Sequence, residues 1–184
     1  MANFQNSCPF CLETKCRFQS AITLGIYQDS LHQATLKMKK LSGQNLAYSL
    51  GKLLYKKRLQ YIDTTFDYLV PIPVSYRKWV TQGYQTAAQI GRGIAAVSQI
   101  PLLPKALRLT REIQKQALLP KTTRIQNTKN AFKPFYTKRL QDKSILLVDD
   151  ILTTAATANE ATKALLHGGA RSVVVATICR ATIS

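Results

Sequence analysis

The chain has 184 residues, 26 of them Lys or Arg against 9 Asp or Glu, for a formal charge of +17. That length suits one domain with a buried core, and the charge favours a polyanionic partner, nucleic acid before acidic membrane. The longest apolar run, 173–179, is far too short to cross a bilayer, and the start Met1-Ala-Asn-Phe-Gln-Asn-Ser has neither the basic flank nor the apolar stretch of a signal peptide. Few cysteines and no export signal predict a reducing, cytosolic setting. In chain order, Asp29 or Ser30 is placed to cap a first helix with Leu31, Ala34, Met38 and Leu41 at helical spacing. Gly43 separates it from a second helix bearing Leu46, Leu50, Leu53 and Leu54. Residues 66–70 read as a strand ended by Pro71 and Pro73, and Ala87, Ile90, Ile94 and Val97 mark a third helix stopped by Pro101 and Pro104. Residues 110–143 are basic and poorly periodic, a long excursion. A βαβ unit follows: strand 145–148, helix 155–167, strand 172–178, with Gly168-Gly169 as a left-handed stop. A right-handed crossover makes those strands parallel. The predicted fold class is α/β, a doubly wound parallel sheet, with helices 30–60 as a small hood.

The densest chemical signal is Ser144-Ile-Leu-Leu-Val-Asp-Asp-Ile-Leu-Thr-Thr-Ala-Ala-Thr157. Its apolar run suits a central strand buried on both faces. Asp149 and Asp150 then fall at the carboxyl end, the edge where open α/β sheets bind ligands. Thr153, Thr154, Ala155, Ala156 and Thr157 lead into the helix, where backbone N–H groups and hydroxyls can cradle a phosphate. The carboxylates would repel that phosphate, so their partners are sugar hydroxyls or a bridging divalent cation. A sugar phosphate satisfies the whole string; the alternative is a buried strand with an acid-rich helix cap.

The segment 148–157 resembles the phosphoribosyl pyrophosphate (PRPP) motif of the type I phosphoribosyltransferases. The resemblance implies that Asp149 and Asp150 contact the ribose hydroxyls and that 153–157 bind the 5′-phosphate of PRPP or ribose 5-phosphate, with Mg2+ bridging ribose and pyrophosphate oxygens. One position departs, since Ala155 stands where a glycine is usual. Alanine tolerates positive φ poorly, so either the loop keeps a negative φ there or its hold on phosphate is weaker. Phe66-Asp-Tyr-Leu-Val-Pro-Ile-Pro-Val74, with Gln116-Ala-Leu-Leu, Arg124, Asn127 and Phe132, narrows the likeness to the competence-associated ComF family, which the chain resembles over roughly residues 20–181. Gln82-Gly-Tyr-Gln-Thr86 replaces that family's Arg-Gly-Phe-Asn-Gln, losing a cation and an amide. The fold normally binds pyrophosphate where Pro73, Val74, Ser75, Arg77 and Lys78 lie; the alternative is a proline-rich strand exit with solvated bases. Arg124 falls in the loop that closes over the reaction centre in active relatives, which makes it the candidate catalytic clamp, or one more DNA contact.

The family also implies a role in DNA uptake during natural competence, with single-stranded DNA and proteins of the competence machinery as partners. An active phosphoribosyltransferase of nucleotide metabolism or salvage, with an unidentified acceptor, is the alternative. Residues 37–58 carry seven Lys or Arg and no acid, and 105–143 carry eleven against Glu112 and Asp142. Within the second block, Lys129, Lys133, Lys138 and Arg139 surround Phe132, Phe135 and Tyr136, a mixture suited to stacking and phosphate neutralisation. The competing reading puts Phe132 and Phe135 in the core beneath a solvated basic face. Residues 1–20 form a short cysteine-bearing arm before a phosphoribosyltransferase-like domain at 21–184. Family members carry a four-cysteine zinc site there; here Cys8, Cys11 and Cys16 offer three thiolates, so Zn2+ would need His32 or another ligand, and Cys179 sits in the final strand. Gly91-Arg-Gly-Ile-Ala-Ala96 fits a dinucleotide fingerprint only formally, since it lies inside a helix.

Overall fold

The structure, a computed structural model, describes residues 16–111 and 128–181. In chain order its elements are β1 (Ser20–Ile26), α1 (Asp29–Lys37), α2 (Gln44–Lys57), β2 (Tyr68–Pro71), α3 (Tyr76–Gln82), α4 (Thr86–Ser98), β3 (Leu107–Leu109), β4 (Phe132–Pro134), α5 (Thr137–Leu140), β5 (Ser144–Leu152), α6 (Ala156–His167) and β6 (Ser172–Arg180). Four strands form a sheet in the order β1-β6-β5-β2, and every neighbouring pair is parallel. Beyond β2, Leu69 bridges Leu102 in the same sense. β3 and β4 form a separate antiparallel ribbon.

The central strands β5 and β6 are near-continuous apolar runs because both faces are covered. On one face Ile145, Leu147, Val173 and Val175 meet Ala158, Ala161, Ala164 and Leu165 of α6, with the ribbon and Leu140 completing the layer. On the other, Leu146, Val148, Val174 and Ala176 meet Met38, Ala47, Leu50, Leu54, Ile90 and Ile94. Strand alternation sorts consecutive residues onto opposite faces, which gives the doubly wound α/β architecture expected. The helices expected as a hood lie on this second face; the turn after α1 rises to the carboxyl edge of the sheet. α2 and α4 cross closely enough that a Cβ at Gly51 would fall on the Ile90 carbonyl oxygen and one at Gly93 on that of Tyr48. Gly93, part of the false dinucleotide fingerprint, is therefore a helix-packing residue.

Several boundaries differ from the sequence reading. β5 continues to Leu152, pairing Asp149 with Thr177 and Ile151 with Cys179, so the acid pair belongs to the strand and does not follow it. β1 was not expected. α1 is preceded by Gln28, which makes no side-chain cap bond, and its first residue, Asp29, has a left-handed φ of 43°, so the expected cap by Asp29 or Ser30 is not formed. The excursion 110–143 contains β4 and α5. At the end of α6 the left-handed stop is Gly169, with φ 100°.

Candidate functional site

Three segments converge at the carboxyl edge. The first is the end of β5 with Asp149 and Asp150, both half-buried. The second is the loop 153–157 that opens α6. The third is the exit of β2: the Ile72 N–H donates to the Val148 carbonyl at 2.9 Å, which sets Pro73, Val74 and Ser75 beside the acid pair. This exit is not a turn throughout, because Tyr76 already begins α3. Arg77 on α3 is exposed, and the side chain of Lys78 lies outside what the structure describes.

Each acid is fixed by the backbone that follows it. The Asp150 N–H donates to Asp149 Oδ1 at 2.8 Å, and the Ile151 N–H donates to Asp150 Oδ1 at 2.9 Å. The other Asp150 oxygen, Oδ2, lies 3.4 Å from Lys39 Nζ. Lys39 belongs to the basic stretch read from sequence as polyanion surface; here one of those cations is used inside the protein. Tyr84 packs beneath this corner. Burial pushes its phenol pKa up, the Asp150 charge adds to that, and the nearby Thr86 hydroxyl opposes it. Within Gln82–Thr86 alternate side chains face inward: Gln82 Nε2 donates to Thr86 Oγ1 at 2.8 Å, and Gln82, Tyr84 and Thr86 are buried, while Gly83 is exposed and Gln85 half-buried. Cys179, also buried, contacts Thr35 Oγ1 at 3.3 Å, and burial raises its thiol pKa.

In the 153–157 loop, Thr154, Ala155 and Ala156 are buried, while Thr153 and Thr157 are partly exposed. Ala155 has φ 54° and ψ −2°, a left-handed conformation. Of the two alternatives drawn from the sequence, the negative φ is ruled out and the weaker hold on phosphate is the one left: packing holds an alanine where a glycine is easier, at about 1–2 kcal/mol of local strain. α6 has no side-chain N-cap bond, and its ladder begins with the Asn159 N–H donating to the Ala155 carbonyl at 2.8 Å, which leaves the N–H groups ahead of Asn159 outside that ladder. The Thr154 hydroxyl is buried without a hydrogen-bond partner. The hydroxyls of Tyr84 and Thr162 are likewise buried without a partner, and of the three it is Thr154 that lies in the loop opening α6, where a polar ligand would meet it.

The remaining expected residues lie elsewhere. Lys129, Lys133, Lys138 and Arg139 are exposed on or beside the ribbon and α5. Phe132 is in the core, as the competing reading had it, Phe135 is half-buried, and Tyr136 is 41% exposed. Cys16 packs against the core beside α6; Cys8, Cys11 and Arg124 lie outside the described residues. His32 stacks edge-on against Tyr27 at 4.7 Å, and Cys179 is in β6. Among the described residues no cluster of three or more His, Cys, Asp or Glu assembles. Asp67, in the stretch that supported the family likeness, sits at the far end of β2. It accepts from the Ser144 N–H at 2.8 Å and pairs with Lys143 Nζ at 3.0 Å, tying β2 to β5. Sequence reasoning missed Lys39, and no local signal marked it among its basic neighbours.

The sequence model of the phosphoribosyl transferase domain matches residues 41–184. The chain is 27% identical over 177 residues to the DNA utilization protein YhgH of Escherichia coli K12, covering 94% of this chain and 77% of that one. It is 26% identical over 185 residues to competence protein F of Haemophilus influenzae, covering 97% and 80%. Among solved structures, glutamine PRPP amidotransferase from B. subtilis, complexed with ADP and GMP, superposes with a TM-score of 0.50 at 19% identity, over 74% of this chain and 27% of that one. With the acid pair and the threonine loop meeting at the carboxyl edge of a parallel sheet, and the domain match running from α2 onward, the chain belongs to the phosphoribosyl transferase domain family.

Proposed function

We propose that the protein binds PRPP or ribose 5-phosphate at this edge with Mg2+, and acts in DNA uptake with single-stranded DNA as partner. The observation that carries the first half is the meeting of Asp149 and Asp150 with a helix-opening loop whose buried Thr154 hydroxyl has no partner. The first-turn N–H groups of α6 would hold the 5′-phosphate. The carboxylates would take the ribose hydroxyls, and the loop 73–75 with Arg77 would face the pyrophosphate. The donor set suits Mg2+, which binds through one or two carboxylates and fills its remaining positions with substrate oxygens and water. Bound there, the ion would neutralise charge between the acids and the pyrophosphate.

The names of the two relatives support the second half, as does the +17 charge. Proteins of the competence machinery are further partners under this reading, and the site of action is the cytosol. Among the described residues, no helix is long and apolar enough to cross a membrane. Isothermal titration of PRPP with and without Mg2+, alongside a pyrophosphate-release assay, tests the reading. Saturable Mg2+-dependent binding supports it, and release of pyrophosphate would shift the conclusion to an active transferase. Absence of binding by both PRPP and ribose 5-phosphate overturns it.

A further inference from the structure

The ribbon and α5 carry a second charged surface, at the opposite edge of the sheet from the acid pair. Arg108 on β3 lies directly across from Lys133 on β4. Like charges so placed repel, and among the described residues the ion pairs that form, Lys39 with Asp150 and Lys143 with Asp67, involve neither of them, nor Lys138 or Arg139. The Arg108 guanidinium sits 3.4 Å from the centroid of the Phe135 ring. Phe135 in turn contacts Tyr136, with ring centroids 4.4 Å apart and planes tilted by 54°, and the Arg139 guanidinium lies 5.7 Å from the Tyr136 ring. A pair of adjoining rings, Phe135 and Tyr136, is thus flanked by one guanidinium at each end, Arg108 and Arg139. Tyr136 is held exposed with φ 56°, a conformation that a bulky residue adopts only under constraint. Phe135, Tyr136 and Arg139, with Lys138, border an open hollow of about 490 Å³ whose lining runs from Pro134 to Arg139.

Cations without a counter-charge among the described residues, one exposed ring and guanidinium groups lying over aromatic rings together match the needs of an unpaired nucleic-acid strand. Its bases require flat surfaces, and its phosphates require cations spaced along a path. A duplex hides its base faces and would use only the cations. We infer that Arg108, Lys133, Phe135, Tyr136, Lys138 and Arg139 form a docking surface for single-stranded DNA, with a base stacked on Tyr136 and the cations on flanking phosphates. The inference rests on the proposed DNA role and adds where the strand docks. The surface is remote from the acid pair. Pro134 and Leu140 pack at Gly168, where α6 ends, and Asp142 bonds Gly169 just before β5 begins. From there to Asp150 the strand rises roughly 20 Å, so the two surfaces can be disabled separately.

The test is fluorescence anisotropy of a labelled oligo(dT) strand against the full chain over a range of salt. Its arms add the same strand as a duplex, anionic phosphatidylglycerol vesicles, and a parallel titration of PRPP with Mg2+. Tyr136→Asn removes the ring with a residue that tolerates the left-handed backbone. It is expected to weaken single-strand binding roughly five- to hundredfold and to leave PRPP titration unchanged. Tyr136→Phe should bind as the wild type does. Arg108→Ala with Lys133→Ala should lower the slope of log affinity against log salt by about 1.4, at ~0.7 per phosphate. If the wild type binds the strand and these variants bind it equally well, the surface is wrong while the DNA role stands. A wild type that binds no single strand at low salt removes both. Loss confined to vesicles, with strand binding intact, also overturns the inference.

Discussion

Lys39 Nζ stands 3.4 Å from Asp150 Oδ2, joining the turn after α1 to the end of β5. The lysine is 35% exposed and the aspartate 16%, so solvent screens the pair and its net worth is small. It nevertheless sets a positive charge on one of the two carboxylates that the proposed cation and sugar would use. Lys39→Met should leave thermal stability nearly unchanged and lower the Mg2+ concentration for half-saturation with PRPP by about two- to fivefold. Calorimetric titration over a Mg2+ series measures this. A higher Mg2+ requirement would mean that Lys39 helps the ligand and does not compete with it.

Ala155 gives a second test. Replacing it with glycine relieves about 1–2 kcal/mol of left-handed strain. The change also loses a buried methyl, worth about 0.8 kcal/mol, and loosens the unfolded chain by about 0.4–1 kcal/mol. These effects nearly cancel, so Ala155→Gly should change unfolding free energy by less than about 1 kcal/mol. Ala155→Val has no compensation, since it adds bulk and a branched Cβ at φ 54° in a buried loop; its cost should exceed about 2 kcal/mol. Urea melts of both variants decide, and a neutral valine variant would contradict the geometry.

The α2–α4 crossing should be as intolerant. Gly51→Ala and Gly93→Ala each drive a methyl into a carbonyl of the facing helix, a backbone atom that cannot rotate aside. Each is expected to destabilise by about 1–3 kcal/mol, lowering Tm by roughly 2–4 °C per kcal/mol. Thermal unfolding followed by circular dichroism measures the shift.

Asp67 links stability to pH. The Ser144 N–H, and after it the Lys143 ammonium, hold its carboxyl below the ordinary value of 3.8. With the folded-state pKa depressed, its contribution is fully present above the unfolded value and is lost as pH falls through the folded one. Asp67→Asn should therefore lower Tm slightly at neutral pH and flatten its decline below about pH 3.8. The difference from wild type is expected to be small, because the pair is partly solvated. A wild-type excess that grows on acidification would reverse the sign.

Local strings were the legible part of this protein. The run 145–157 announced strand, acids and helix start because each sits within a few residues of the next, and the period of Ile90 and Ile94 marked α4. β1 escaped because Thr23 and Gly25 break up the apolar residues of this edge strand, leaving no continuous run of the kind that marks β5 and β6. The inward turn of Gln82 and the pairing of Lys39 with Asp150 are set by how distant segments pack, which spacing does not encode. Ala155 shows packing overriding an intrinsic backbone preference. The ribbon eluded the reading because its strands are three residues each and far apart in the chain; the sequence grouped the aromatics with Lys133, Lys138 and Arg139 but could not show that Arg108 joins them across the ribbon.

The most direct test of the sugar-phosphate site is calorimetric titration of PRPP with Mg2+ into the wild type and the Asp149→Asn/Asp150→Asn double variant, with melting curves to verify folding. The expected result is saturable binding by the wild type and a loss of about a hundredfold or more in the variant, the cumulative effect of removing charge-assisted hydrogen bonds. Equal affinity in two equally folded proteins would contradict a ligand held by that pair.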